Sequence, residues 1–331
     1  YTPFLYNVSL SHKFTPDFIV YGNVGSSFRS AGPRIGFTSP IVCCTASGGP
    51  ALAPIDDLVF QREENSKSYE IGFKAALADS RVRFNVSLFQ QDYDNFYFQT
   101  QPVQYLSITN PANPLAANGA SISNSEFTVG GKARVRGVDI DAAFQVTSRW
   151  SVNLAMTYSK AKLNNALVPC NDSNFDGSPD IGVPTVAQFV SNGLIVARCR
   201  SNDAISRTPT WNLNVQSEYS VPVSNSTEGF IRGNFNYYPD NPNASQGIVI
   251  DKYSLLNMYA GLRAENGAWE VTIFANNLLN NQQLLSFNQV APTSSAAAGA
   301  FPQPGGPGYN AISYTPRREF GLQVRFAIGS R

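Results

Sequence analysis

Apolar and polar residues alternate along most of this chain. Val82, Phe84, Val86 and Leu88 are separated by Arg83, Asn85 and Ser87. Trp150, Val152, Leu154, Met156 and Tyr158 alternate with Ser151, Asn153, Ala155 and Thr157. Trp211, Leu213 and Val215 alternate with Asn212, Asn214 and Gln216, and Phe320, Leu322, Val324 and Phe326 repeat the pattern near the end. A period of two gives a strand with one apolar and one polar face. Helical spacing over comparable lengths is absent, apart from a short turn near Ile55 to Phe60. The pattern predicts about eleven strands, near 4–13, 18–28, 67–77, 82–97, 132–146, 150–163, 208–221, 229–239, 252–264, 268–278 and 317–328. Many reach the roughly 9–11 residues that cross a bilayer at a tilt. Strands of soluble domains mostly run nearer 5–6.

The connections between these strands alternate in length. Short turns fall at Phe14–Asp17, Ala78–Arg81, Thr147–Arg149, Pro222–Glu228 and Glu265–Gly267. Between them lie longer segments at Arg29–Ser66, Thr100–Gly131, Asn164–Arg207, Asp240–Asp251 and Asn280–Pro316. An up-and-down barrel with short turns at one rim and long loops at the other produces this rhythm. The segment Ala291–Tyr309, rich in Ala, Ser, Pro and Gly, reads as a mobile outer loop.

Composition narrows the choice. Only 14% of the 331 residues are charged, against about 25% in soluble domains. The formal net charge of +1 lacks the basic excess of a nucleic-acid binder. Aromatics at 12% argue against disorder. No run of about 18 apolar residues supplies a membrane helix. A mean hydropathy of −0.18 still suits a membrane barrel, whose strands average lipid-facing and lumen-facing residues. Lys74, Arg83, Asp139, Asp141, Arg232, Glu270 and Arg325 fall on the polar parity, where a barrel has a wet lumen. Trp150 and Trp269 follow short turns and Trp211 follows a long loop, as interfacial girdles require. Single-chain bacterial barrels have an even strand count, so eleven strands suggest that an N-terminal part is missing.

Six stretches, in order, resemble the C-terminal half of the barrel of TonB-dependent outer-membrane receptors. Ile19–Arg29 is similar to the family's Y-x-x-x-S-x-G-F-R strand, and Lys67–Lys74 to its E-x-Y-E-x-G-x-K strand. Val82–Phe96, with Asp92-Tyr93-Asp94-Asn95-Phe96, resembles the segment that follows. Ala133–Asp141 resembles A-x-x-x-G-x-E with Asp in the Glu place. Phe274–Asn280 resembles V-x-N-L-x-D with Asn in the Asp place, and Tyr314–Gly321 resembles P-R-x-x-G before the last strand. The resemblance implies an all-β fold: residues 1–331 as an antiparallel transmembrane segment of a 22-stranded barrel, without the plug domain. It implies location in the bacterial outer membrane, with the short turns periplasmic. It also implies uptake of a scarce nutrient: an iron chelate, a cobalamin or an oligosaccharide. The partners are then outer-membrane lipid, the ligand, and the TonB complex acting through a plug outside this chain. A passive porin or autotransporter barrel and a soluble secreted β-sandwich adhesin are the alternatives.

The candidate chemistry is sparse. Cys43, Cys44, Cys170 and Cys199 all fall in long loops, as disulfides of an exported chain would. Cys170 and Cys199 share one loop and are expected to bridge; the partners of Cys43 and Cys44 stay open. Asp172, Asn174 and Asp176, followed by Gly177 and Asp180, fit the first half of a calcium-binding loop. Val183 stands where the bidentate Glu of such a loop belongs, and the same residues are ordinary in turns. A structural calcium is therefore one reading and a plain turn the other; no other cofactor is expected. The lone histidine, His12, reads as a plain strand residue. There is no G-x-S-x-G elbow or phosphate loop, so no enzyme is expected. Asp139 and Asp141 on one strand face are explained by a wet lumen. Tyr105, Phe127 and Tyr309 are loop aromatics that could touch a ligand.

Overall fold

The computed structural model describes residues 3–33, 60–100, 102–110, 113–206, 208–242, 249–290 and 309–327. Eleven strands form one sheet: β1 (Asn7–Thr15), β2 (Phe18–Arg29), β3 (Glu64–Leu77), β4 (Val82–Gln99), β5 (Thr128–Thr147), β6 (Trp150–Leu163), β7 (Trp211–Ser224), β8 (Thr227–Tyr238), β9 (Tyr253–Ala264), β10 (Trp269–Asn276) and β11 (Glu319–Phe326). Each pairs antiparallel with its neighbours in sequence, and β1 and β11 are the two edges of the described sheet. The alternating rhythm of connections is present throughout. Tight turns use left-handed backbone where they need it: Ala78, Asp79 and Ser80 between β3 and β4, and Gly267 between β9 and β10.

Directly paired residues of an antiparallel ladder share a face. The register therefore sorts the sheet into two sides. Gly22, Ile71, Leu88, Val138, Tyr158 and Trp211 form one continuous row. Tyr219, Ile231, Ala260, Ile273 and Leu322 form another on the same side. Ile71 is 57% exposed and Leu322 65% exposed, so this side is apolar and uncovered. A soluble sandwich buries such a face under a second sheet. The other described sheets are two-stranded hairpins, and the sandwich reading does not hold. Trp150, Trp211 and Trp269 all stand on the apolar side. Trp150 and Tyr158 are eight residues apart on β6, about 27 Å along the strand and roughly 20 Å along a membrane normal at 45°. That interval suits the apolar band of an outer-membrane barrel, about 25 Å tall.

Four aromatics on the opposite, polar side lie across glycines of the next strand. Tyr21 is paired with Gly72, Phe89 with Gly137, Phe230 with Gly261 and Phe274 with Gly321. A Cβ at Gly72, Gly137 or Gly321 would run into the partner's ring. The ring covers the bare backbone that glycine exposes, which pins the register. This packing explains the glycines of three of the six recognised stretches.

The main cluster of buried apolar side chains lies at the long-loop end of the sheet. Val103, Leu106, Phe127, Val129, Leu163, Ala166, Val168, Phe189 and Ile195 form a cluster where the loops after β4 and β6 meet. Two hairpins, Val103–Ile108 with Ala120–Ser125 and Ala166–Pro169 with Arg198–Ser201, frame it. One short helix, α1 (Val186–Ser191), closes it with Phe189 and Val190 buried. These loops thus form a packed cap at the long-loop rim. Of the expected mobile loop, Ala291–Tyr309, residues 291–308 lie outside the described residues, as does most of the turn expected near Ile55.

Candidate functional site

The polar side of the sheet carries a hollow of about 570 Å³. Lys74, Arg83, Asn85, Asp141, Asn153 and Asn214 line it, contributed by β3 to β7. Asp139, two residues from Asp141, is paired with Ser87 and Thr157 on the same side. These carboxylates are part of a wet, polar wall.

Nearer the short turns, charges gather on β7, β8 and β9. Glu218 Oε2 lies 2.6 Å from Arg232 Nε, and Glu218 Oε1 lies 2.8 Å from Arg263 Nη1. Arg263 Nη2 is 2.7 Å from Glu228 Oε2. Both guanidinium groups stand over the ring of buried Phe230, at 5.3 and 5.0 Å from its centre. The alternation marked Arg232, but Glu228 and Arg263 become partners only once the register is known.

At the opposite rim the cap is stitched by polar contacts. Cys170 and Cys199 form a disulfide with their Cα atoms 5.7 Å apart, and both are buried. The Leu106 N–H donates to Ile195 O at 2.7 Å, joining the two loops. Asn171 reaches between them as well: its Oδ1 accepts from Gln104 N at 2.8 Å and its Nδ2 donates to Pro102 O. Thr185 and Gln188 form a reciprocal capping box on α1. Cys43 and Cys44 lie outside the described residues.

The acidic loop serves its own backbone. Asp172, almost fully buried, accepts from Gly177 N at 2.8 Å and from Asp176 N at 3.2 Å. Asn174 Oδ1 accepts from Asp176 N, and Asp176 Oδ1 accepts from Ser178 N at 2.8 Å. Asp180 Oδ2 accepts from both the N–H and the hydroxyl of Ser173, and its Oδ1 accepts from Gly182 N. The Ser173 hydroxyl, helped by these backbone N–H groups, holds the Asp180 carboxyl below the usual carboxylate range. Asp172, Asp176 and Asp180 do not converge on one point; the one close grouping of metal-type ligands among the described residues is Cys170, Asp172 and Cys199. Its two sulfurs are joined to each other and are not thiolates. Hydrogen bonds to its own backbone hold the shape of this loop.

The loop aromatics divide. Phe127 is 1% exposed and belongs to the cap core, so it is packing rather than a ligand contact. Tyr105 stands edge-on to it at 5.8 Å. The side chain of Tyr309 lies outside what is described. At the outer ends of β8 and β9, Tyr238 and Tyr253 stack at 4.7 Å on the polar side. Arg29 lies over Tyr97 at 5.2 Å at the same rim.

A polar wall, an uncovered apolar wall with aromatic rims, and a cap at one end describe one part of a membrane barrel. The family profile for the "TonB dependent receptor-like, beta-barrel" matches residues 1–278. The chain belongs to the TonB-dependent receptor family. Solved structures share the fold. The ferric yersiniabactin uptake receptor FyuA of Yersinia pestis aligns with a TM-score of 0.56 at 15% identity, over 97% of this chain and 37% of its own. The pyoverdine receptor FpvA of Pseudomonas aeruginosa PAO1, bound to pyoverdine, aligns with a TM-score of 0.57 at 12% identity, over 98% of this chain and 36% of its own. The ferric-catecholate import receptor Fiu of E. coli K12 gives 0.52 at 18% identity, over 97% and 34%. The chain thus spans about a third of the length of these receptors. The sheet is a segment of an outer-membrane β-barrel, and its short turns and long loops divide between two rims as they do in such barrels.

Proposed function

We propose that this chain forms the barrel wall of an active importer for a scarce nutrient, driven by TonB acting through a plug domain outside residues 1–331. The carrying observation is the match of the receptor barrel family to residues 1–278, on a sheet with a polar inner and an apolar outer face. The barrel frames the passage and its loops capture cargo; no residue here is given a chemical step. Of the receptors named above, one takes up ferric yersiniabactin, one imports ferric catecholates and one is bound to pyoverdine, and a ferric siderophore is the cargo we place first. Tyr238 and Tyr253, stacked at the mouth, offer the aromatic surface that such planar chelating groups pack on.

The test is uptake. A host lacking the receptor gene is supplied with single radiolabelled iron chelates, with and without functional TonB. The reading requires uptake of one chelate to vanish with the gene and with TonB alike. Uptake that persists without TonB makes the barrel a passive pore. Uptake of a cobalamin or an oligosaccharide instead keeps the importer and changes its cargo.

A further inference from the structure

Carboxamides are concentrated on one stretch of the polar wall. Asn153 on β6 is paired with Gln216 on β7, Gln216 with Asn234 on β8, and Asn234 with Asn257 on β9. Paired residues share a face, so these amides form one row across four strands, about 14 Å wide. Two residues further along, Asn214 is paired with Asn236 and starts a second row, about 7 Å from the first. Asn214 Nδ2 donates to Asn236 Oδ1 at 2.7 Å, and Asn236 Nδ2 donates to Asn234 Oδ1 at 2.6 Å, so these amides hold one another's orientation. The stacked Tyr238 and Tyr253 stand one row further towards the long-loop rim. On the other side of the field come Glu218 and Arg232, which neutralise each other. Between these limits the polar faces of β7, β8 and β9 carry no charged residue. Asn153, Asn214 and Gln216 line the hollow of about 570 Å³. Among the described residues, Asn153 and Gln216 make no side-chain hydrogen bond, and both are exposed.

A carboxamide donates and accepts hydrogen bonds and carries no charge. A field of them complements groups of the same two-way character, and a carboxylate or ammonium arm finds no opposite charge on it. The spacing selects a chain of amides. An extended peptide repeats its hydrogen-bonding edge every two residues, about 7 Å, which is the separation of the two rows. A backbone running down the wall therefore meets both rows with the same edge. We propose that this field is a second cargo subsite, below the tyrosine stack, that takes the peptide backbone of an amide-linked ferric chelate while the iron-binding groups pack on Tyr238 and Tyr253. The proposal rests on the importer reading and its ferric-chelate cargo, and narrows that cargo to chelates with an uncharged amide backbone.

The full-length receptor, purified from outer membranes in mild detergent, is offered two ferric trihydroxamates with identical iron-binding groups. One has a tripeptide backbone and the other a hydrocarbon backbone of equal length, and bound radioactive iron is counted after equilibrium dialysis. We expect the tripeptide chelate to bind about tenfold more tightly, the equivalent of one or two net hydrogen bonds. Gln216→Ala and Asn153→Ala should each shrink that preference to about threefold, and Gln216→Asn, which keeps an amide, should retain more of it. Neither alanine removes a hydrogen bond of the described fold, so both variants remain testable. Equal binding of the two chelates overturns the proposal, as does an unchanged preference in the alanine variants. An unchanged preference with a lowered unfolding midpoint reassigns the row to a contact with the plug. Competition by a neutral oligosaccharide but not by the tripeptide chelate makes the field a sugar site and overturns the proposal too. Binding of neither probe does the same. Uptake of another chelate that depends on the gene and on TonB then leaves the importer reading standing, whereas absence of any such uptake removes both.

Discussion

Glu218 and Arg263 sit on strands that are not neighbours, yet their side chains meet. Glu218 Oε1 on β7 lies 2.8 Å from Arg263 Nη1 on β9, across β8. The contact locks three strands at once, and both side chains are about three-quarters buried. Removing the carboxylate leaves two guanidinium groups facing one remaining acid, Glu228. Glu218→Gln is expected to destabilise the barrel by about 1–3 kcal/mol. Urea unfolding in micelles, followed by tryptophan fluorescence, reads this directly. A double-mutant cycle should couple Glu218 more strongly to Arg263 than to Arg232, whose side chain is 41% exposed. Additive effects for the Glu218–Arg263 pair would rule out the three-strand lock.

Gly137 has no room for a methyl group, because Phe89 and the Tyr158 carbonyl occupy the space where its Cβ would stand. Gly137→Ala should therefore cost about 1–3 kcal/mol through overpacking. Adding Phe89→Leu should recover only part of that loss, since the ring is one obstruction and the Tyr158 carbonyl, equally close, is the other. A loss that Phe89→Leu deepens instead would place the strain in the backbone.

The disulfide ties the ends of a segment separated by 29 residues, all within the cap. Closing a loop of that length restricts the unfolded cap by about 3–4 kcal/mol in the chain-entropy model. Reduction, or Cys199→Ser, should speed hydrogen exchange at Cys170, whose N–H donates to Ala197 O, and at Leu106. Amides of β6 in the sheet, such as Leu154, should keep their protection. Uniform loss across sheet and cap would mean that the two are one cooperative unit.

The Asp180 carboxyl is more acidic in the folded loop than in the unfolded chain. Its contribution is thus complete above the ordinary carboxylate range and is lost as pH falls through the lowered folded value. Protection of the Ser173 and Gly182 amides should persist below the pH at which a free Asp takes up its proton, about 4. Asp180→Asn should remove that pH dependence. The calcium reading of Asp172, Asn174, Asp176 and Asp180 is tested in the same experiment. Because the loop's oxygens already accept its own N–H groups, adding calcium or a chelator is expected to leave protection unchanged. A calcium-dependent rise in protection would make the loop a cation site after all.

What could be read from the chain alone follows from the range of the forces involved. Strand alternation is local, so it bounds a strand at 150–163, and β6 occupies Trp150–Leu163. Turn rhythm and paired cysteines in one loop are also local features. The cap is not: Tyr105 bridges to Val196 and Leu106 bonds to Ile195, across some ninety residues of chain. Phe127 therefore reads as an exposed loop aromatic in sequence and is interior in the fold. The same limit hid Glu228 and Arg263, each ordinary beside a short turn until the ladder sets them opposite one another.

Leu154 and Asn153 separate the two faces of the wall most sharply. Leu154 is midway between Trp150 and Tyr158 on the apolar side, in register with Ala142 and Val215. Asn153, its neighbour, lines the polar hollow. In a lipid-embedded barrel an arginine at Leu154 sits near the bilayer midplane and should cost about 2–4 kcal/mol. Asn153→Arg enters water on the inner side and should stay within about 0.5 kcal/mol of the parent. Reversible folding into lipid vesicles measures both. The comparison depends on orientation alone, since the residues are adjacent and the introduced side chain is the same. Equal costs would mean that the outward face is not in lipid at this depth. A reversed order would mean that the faces had been assigned the wrong way round.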